Sequence, residues 1–136
     1  MHNFKELKVW QKARKLSKLI YIQTRDFPKE ELYGMTSQMR RCAISISSNI
    51  AEGCGRGTDS QLLHFLGVSQ GSAFELESQV ILAADLSLLA GESAGSLLSE
   101  LEEIQKMIRG FRNSLQNKKT TNLVEKLEKN KKDCMI

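Results

Sequence analysis

The stretch MTSQMRRCAISISSNIAE, from Met35 to Glu52, decides the fold. Met35, Met39, Cys42, Ile46 and Ile50 step by four, three, four and four residues, the spacing of one buried helix face. Gln38, Arg41, Ser45, Asn49 and Glu52 form a polar stripe beside it, and Arg40, Ala43, Ile44, Ser47 and Ala51 make up the remaining face. From residue 36 to residue 52 only Arg40, Arg41 and Glu52 are charged. A helix so poor in charge is expected to be covered on every side, by its own bundle and by a partner subunit. The pattern predicts a helix that begins between Gly34 and Ser37 and ends at Gly53.

Three more helices are expected around it. The first runs from Asn3, its cap, to Asp26, with Glu6 placed to return a hydrogen bond to the cap. Val9, Trp10, Ala13, Leu16, Ser17, Ile20, Thr24 and Phe27 share one side, and Phe27-Pro28 stops the helix. Downstream, Gly53 to Gly57 read as a flexible turn, and Thr58 with Gln61 as a capping box. The third helix then extends to Ala90 on a core face of Leu62, Phe65, Leu66, Ser69, Ala73, Leu76, Val80 and Ala83. A fourth starts near Ser93 and buries Leu97, Leu101, Ile104, Ile108, Phe111 and Leu115. The expected architecture is all-α, an up-down-up-down four-helix bundle over residues 1–116. Residues 117–136 are expected to be a basic C-terminal tail, frayed or disordered.

The composition narrows the function classes. One proline and nine glycines in 136 residues exclude collagen-like and proline-rich chains and speak against a turn-rich β domain. No apolar run approaches a membrane span and no secretory leader is visible, so a cytoplasmic protein is expected. Cys42, Cys54 and Cys134 match no zinc spacing, their odd number argues against a disulfide framework, and two histidines make no metal or triad site. Cys42 is expected to be a buried thiol. Glu75 and Glu77 point to different sides of a helix, and Gly53-Cys54-Gly55-Arg56-Gly57 lacks the Lys-Ser/Thr ending of a phosphate loop. The expectation is a protein that is not an enzyme and needs no metal or cofactor.

Charge is unevenly placed. The chain carries +4 overall: +4 over residues 1–35, −3 over 36–117 and +3 over 118–136. Lys5, Lys8, Lys12 and Lys15 form a strip about 15 Å long on the first helix, with Arg14 and Lys18 on its flank. The four lysines of the strip, Lys5, Lys8, Lys12 and Lys15, together with Arg40 and Arg56, are the candidate contacts to RNA or DNA phosphates; a solvated surface is the alternative. Trp10 and Tyr21 fall toward the core side, so stacking platforms for single strands are not expected. On the second helix Gln38, Arg41, Asn49 and Glu52, with Glu75, read as a structural polar network containing ion pairs; phosphate contact is the alternative for Arg41. Ile44, Leu63, Gly67, Gly71, Phe74 and Ile81 are candidates for an oligomer interface. Small residues among large ones let another helix approach, whether inside the bundle or from a second copy.

Several segments carry a family resemblance. Phe4-x-x-Leu7-x-Val9-Trp10-Gln11-x-Ala13 opens the chain, and the span from Tyr33 to Gly53 closes on Asn49-Ile50-Ala51-Glu52-Gly53. Gly71-Ser72-x-x-Glu75-Leu76-Glu77 follows in the third helix. Together they resemble the bacterial four-helix bundle proteins encoded within intervening sequences of 23S ribosomal RNA genes. That family is similar in turn to the accessory variability determinant of diversity-generating retroelements. The resemblance covers residue 4 to about residue 115, and not the tail. It implies a homopentameric ring without catalytic activity and, through the retroelement relative, binding to nucleic acid and to a reverse transcriptase. The leading expectation is therefore an oligomeric nucleic-acid-binding protein. The alternative is a scaffold that docks a partner protein, with charge serving solubility.

Overall fold

The computed structural model describes residues 2–135. Four helices carry the structure: α1 (Lys8–Thr24), α2 (Ser37–Gly55), α3 (Asp59–Asp85) and α4 (Gly91–Cys134). Each packs on the next, and α4 closes back on α1, which is the arrangement of an antiparallel four-helix bundle. No strand occurs among the described residues.

The core follows the apolar period of each helix. Val9, Ala13, Leu16 and Ile20 from α1 meet Met39, Cys42, Ala43, Ile46 and Ile50 from α2. Leu62, Leu66, Ala73, Leu76 and Val80 from α3 and Leu97, Leu101, Ile104 and Ile108 from α4 complete it. The α2–α3 pairing is the most extensive. Gly53 explains part of this closeness. A Cβ there would lie 2.9 Å from Leu62 Cδ1 and 3.0 Å from Phe65 Cβ. Gly53 therefore does not end α2. It sits buried inside a helix that continues to Gly55, and the reversal falls at Gly57, whose φ of +85° suits glycine.

The helix ends differ from expectation in instructive ways. Asn3 caps a short 3-10 turn, Phe4–Glu6, rather than α1, and Leu7 is extended before α1 begins. Thr58 caps α3 as expected, its hydroxyl accepting from Gln61 N at 3.2 Å. Asp85, not Ala90, ends α3, and Gly91 opens α4. Between them Leu88 N donates to Ala83 O and Ser87 N to Ala84 O, a helix stop in which Ser87 takes φ +58°. Between α1 and α2 lie a 3-10 turn, Lys29–Glu31, and a wide turn, Leu32–Thr36, with Glu31 accepting from Met35 N.

The basic tail carries α4 onward. Residues 116–134 continue α4 as a single helix, with every side chain exposed. No glycine or proline follows Gly110, Glu125 and Glu128 each precede a lysine by four residues, and Lys131 and Lys132 lie at the negative end of the helix dipole. Lys118 reaches Asp59 at the start of α3 at 3.8 Å, which ties the base of the extension to the bundle.

Candidate functional site

α1 carries five cations, Lys8, Lys12, Arg14, Lys15 and Lys18, and no carboxylate. Its buried line is Val9, Ala13, Leu16, Ile20 and Thr24. The outward midline must lie half a turn from it, along Gln11, Arg14, Lys15 and Lys18. These four line a shallow concavity on the surface, with Arg14 also 5.6 Å from the Trp10 ring.

The expected strip of Lys5, Lys8, Lys12 and Lys15 is thereby rotated. Lys8 and Lys15 remain exposed. Lys12 precedes the fully buried Ala13 and so lies at the edge of the helix, where its Nζ meets Glu103 of α4 at 2.9 Å. The hydrogen bond to Glu103 raises the Lys12 pKa. Lys5 belongs to the 3-10 turn before the extended Leu7, not to α1. Arg14 and Lys18, assigned to the flank, take their places. The signal was present in the sequence, because the centre of the apolar residues fixes the centre of the opposite face.

Arg40 and Arg56 both have partners within the bundle, but only Arg56 is in an ion pair among the described residues. The Nε of Arg40 donates to Thr24 Oγ1 at 3.0 Å, and its guanidinium lies 4.5 Å above the Tyr21 ring. Arg56 donates twice to Glu52 Oε1, at 2.7 and 3.1 Å, and rests 5.2 Å from the Phe65 ring. Its charge is offset within its own helix.

The polar stripe of α2 is a relay of hydrogen bonds rather than the expected set of ion pairs. Residues 41 and 52 lie three turns apart, about 16 Å, so Arg41 and Glu52 cannot meet. Arg41 donates to Gln38 Oε1 at 2.7 Å. Asn49 donates to Ser45 O at 2.8 Å and to Ser45 Oγ at 3.0 Å, and Ser45 Oγ pairs with Ser72 Oγ of α3 at 2.8 Å. Ser69 donates to Ile46 O at 2.8 Å. Glu75 takes another role, beside the Cys42 thiol. Burial, followed by the hydrogen bond and charge of Glu75, pushes that thiol up to about 11. It is inert at neutral pH, since the thiolate is the nucleophile. Cys54 is buried too, and burial raises its pKa.

The expected interface residues divide. Leu63 packs against the core, and a Cβ on Gly67 would lie 3.6 Å from Arg112 of α4, so both face their own bundle. Gly71 opens to solvent with nothing within 4 Å. Phe74 (47 % exposed), Ile81 (48 %) and, on α2, Ile44 are also uncovered.

Aromatic side chains are more available than the sequence reading allowed. Tyr21 is 40 % exposed on the flank of α1, and Tyr33, in the wide turn before α2, is 92 % exposed. The helical period could not place Tyr33 because it lies outside any regular helix. No helix is long and apolar enough to cross a membrane, and no cluster of three or more potential metal ligands occurs among the described residues.

Comparison with known proteins places these features in context. The model of a family described as "23S rRNA-intervening sequence protein" matches residues 5–110. A solved structure from Bacteroides thetaiotaomicron, described as a protein of unknown function from the S23 ribosomal protein family, is similar in fold with a TM-score of 0.71. It is 19 % identical, and the match covers 77 % of this chain and 95 % of that one. No curated protein matches the sequence.

Proposed function

The chain belongs to the 23S rRNA-intervening sequence protein family, and from that premise we propose that it is a non-catalytic protein that binds RNA or DNA phosphates through the outer face of α1. The observation that carries this reading is the charge of α1. Five cations occur without a carboxylate, and Lys8, Arg14, Lys15 and Lys18 stand exposed and outside the ion pairs found among the described residues. Ammonium and guanidinium groups along one helix face release counterions from a phosphate backbone, and that release drives binding. Binding of this kind needs no reactive group.

The proposal includes assembly into a homo-oligomeric ring, a pentamer by the family resemblance. Gly71, Phe74 and Ile81 supply exposed apolar and small surface on α3 that a second copy would cover, and a ring would repeat the α1 face for avidity. The same α3 surface favours a second reading, in which it docks a partner protein such as a reverse transcriptase. Recovery of one specific protein, insensitive to nuclease, would favour that reading.

A gel-shift titration of duplex RNA across salt tests the main proposal. Four phosphates neutralised per protomer give a log–log slope of about −3 to −4. Absence of binding at low salt would sink it.

A further inference from the structure

Near the joined ends of α1 and α2 a second concavity opens, and its chemistry differs from that of the α1 strip. Leu32 and Ile44 give it apolar walls, Arg40 and Arg41 give it charge, and Tyr21 and Thr36 also line it. Thr36 is 3 % exposed, and its buried Oγ1 has no hydrogen-bond partner. A buried hydroxyl without a partner is an unfavourable feature that a bound polar group would relieve. Neither arginine forms an ion pair among the described residues. The bond to Thr24 and the stacking on Tyr21 hold the Arg40 guanidinium in place. Glu31, the carboxylate nearest in sequence to the turn, is occupied by Met35 N. Tyr33 follows Leu32 directly and presents almost its entire ring to solvent.

Each simpler ligand leaves part of this unexplained. A bare phosphate has no use for apolar walls and an exposed phenol ring. An apolar peptide has none for two arginines. A nucleotide offers a flat base with polar edges next to a phosphate, and so uses every feature. In a duplex the base faces are stacked and hidden. Only an unpaired residue can present them.

We propose that this concavity takes one unpaired nucleotide of a single strand. The base lies against Leu32 and Ile44, Tyr33 beside Leu32 supplies a stacking ring from outside the concavity, the polar edge of the base turns to the Thr36 hydroxyl, and Arg40 and Arg41 hold the adjoining phosphate. Tyr21 follows Lys18 by three residues on α1, about 5 Å along the axis, so the cationic strip leads directly into the site. This inference rests on the phosphate-binding reading and adds that the partner is single-stranded.

Fluorescence anisotropy with a labelled oligouridine and a blunt RNA duplex of equal length tests it. The single strand is expected to bind about ten-fold more tightly than the duplex. Tyr33→Ala, which removes a side chain outside the core, and Arg41→Ala should each lower single-strand affinity about ten-fold and leave duplex affinity unchanged. Thr36→Val removes the unpartnered hydroxyl without loss of volume. It should keep thermal stability and still weaken the single strand. Equal affinity for both probes with Tyr33→Ala silent overturns this inference and leaves the α1 reading standing, whereas failure of both probes to bind overturns the two together. A fall in oligomer mass for Tyr33→Ala, read by light scattering, would show the surface to be covered by a second copy and would also overturn it.

Discussion

α1 and α3 both flank α2, yet their solvent-facing sides are opposites. α1 has five cations and no carboxylate, whereas α3 has four carboxylates, Asp59, Glu75, Glu77 and Asp85, and no Lys or Arg. The outward line of α1 is charged. That of α3 includes Gly71, Phe74, Ser78, Ile81 and Leu82, several of them large and apolar. Covering the α1 face with protein would strip water from ammonium and guanidinium groups, which is costly unless each finds a partner. Covering Phe74 and Ile81 is favourable at about 25 cal/mol per Å² of apolar surface. One bundle thus offers one side suited to anions in water and another suited to exclusion of water.

The largest effect is expected from reversing the α1 side. Arg14→Glu, Lys15→Glu and Lys18→Glu together should lower nucleic-acid affinity more than about 100-fold at moderate salt, because attraction becomes repulsion. Helix content by circular dichroism should stay unchanged, since none of the three is buried. Lys12→Glu alone should behave differently. It places a carboxylate against Glu103, so it should lower thermal stability slightly and affect binding less than Lys15→Glu does. Equal effects of the two lysines on binding would contradict the rotation of the face.

Reversal of the α3 side comes next. Phe74→Glu should weaken assembly at least about ten-fold by analytical ultracentrifugation, with helix content retained, because Phe74 lies outside the bundle core. Gly71→Leu should act in the same direction through bulk. In the isolated protomer it meets nothing within 4 Å and replaces a poor helix former, so thermal stability of dilute protein should not fall. A monomeric mass for the unaltered protein would leave the α3 surface without the role proposed for it.

The contrast between the two sides was legible in the sequence only in part. Apolar spacing placed the four core lines with the exception of Phe65, which lies off the core beside Arg56, because Leu, Ile and Val at periods of three and four leave a helix little choice of which side to bury. Charged positions were read less well. The wheel already sets Lys12 nearer the buried line than Lys15, yet only the neighbouring α4 supplies Glu103 as its partner. Shared charge on the α2 stripe does not name partners: Arg41 donates to Gln38 and Glu52 pairs with Arg56, each within a turn of itself. Gly53 reads as a terminator in any local scheme, and only the approach of Leu62 and Phe65 reveals it as a packing residue. The helical course of the tail is not legible from apolar spacing, because the tail buries nothing; its helix rests on propensity and charge order.

The seam between α2 and α3 sharpens the comparison at alkaline pH. The folded Cys42 thiol titrates near 11, above its ordinary 9.0, so the unfolded chain loses its proton first as pH rises. Its contribution to stability is complete below pH 9 and declines between 9 and 11, by about 2–3 kcal/mol in all. Cys54, also raised by burial, adds to the fall. Denaturant titrations at successive pH values should therefore show a shallower decline for Cys42→Ala than for the unaltered protein. Within the same seam, Gly53→Ala should cost about 1–2 kcal/mol, since overpacking against Leu62 exceeds the gain in helix propensity.

The smallest effect is expected where α3 ends, and it separates the two helices once more. α1 stops through Arg25, which keeps helical angles, and the turn toward Pro28, so no residue there needs a left-handed conformation. α3 stops through Ser87, held at φ +58° by the bonds from Leu88 N to Ala83 O and from Ser87 N to Ala84 O. A residue with a Cβ is disfavoured there by about 1 kcal/mol or more, and glycine is not. Glycine also leaves the unfolded chain freer, which offsets part of the gain. Ser87→Gly should therefore stabilise the protein by about 0.5 kcal/mol, a rise of one to a few degrees in melting temperature. Ser87→Val should lower it by more, because a β-branched side chain tolerates positive φ least. If glycine lowers the melting temperature and valine does not, the hydrogen bonds of this turn do not hold Ser87 in the left-handed region in solution.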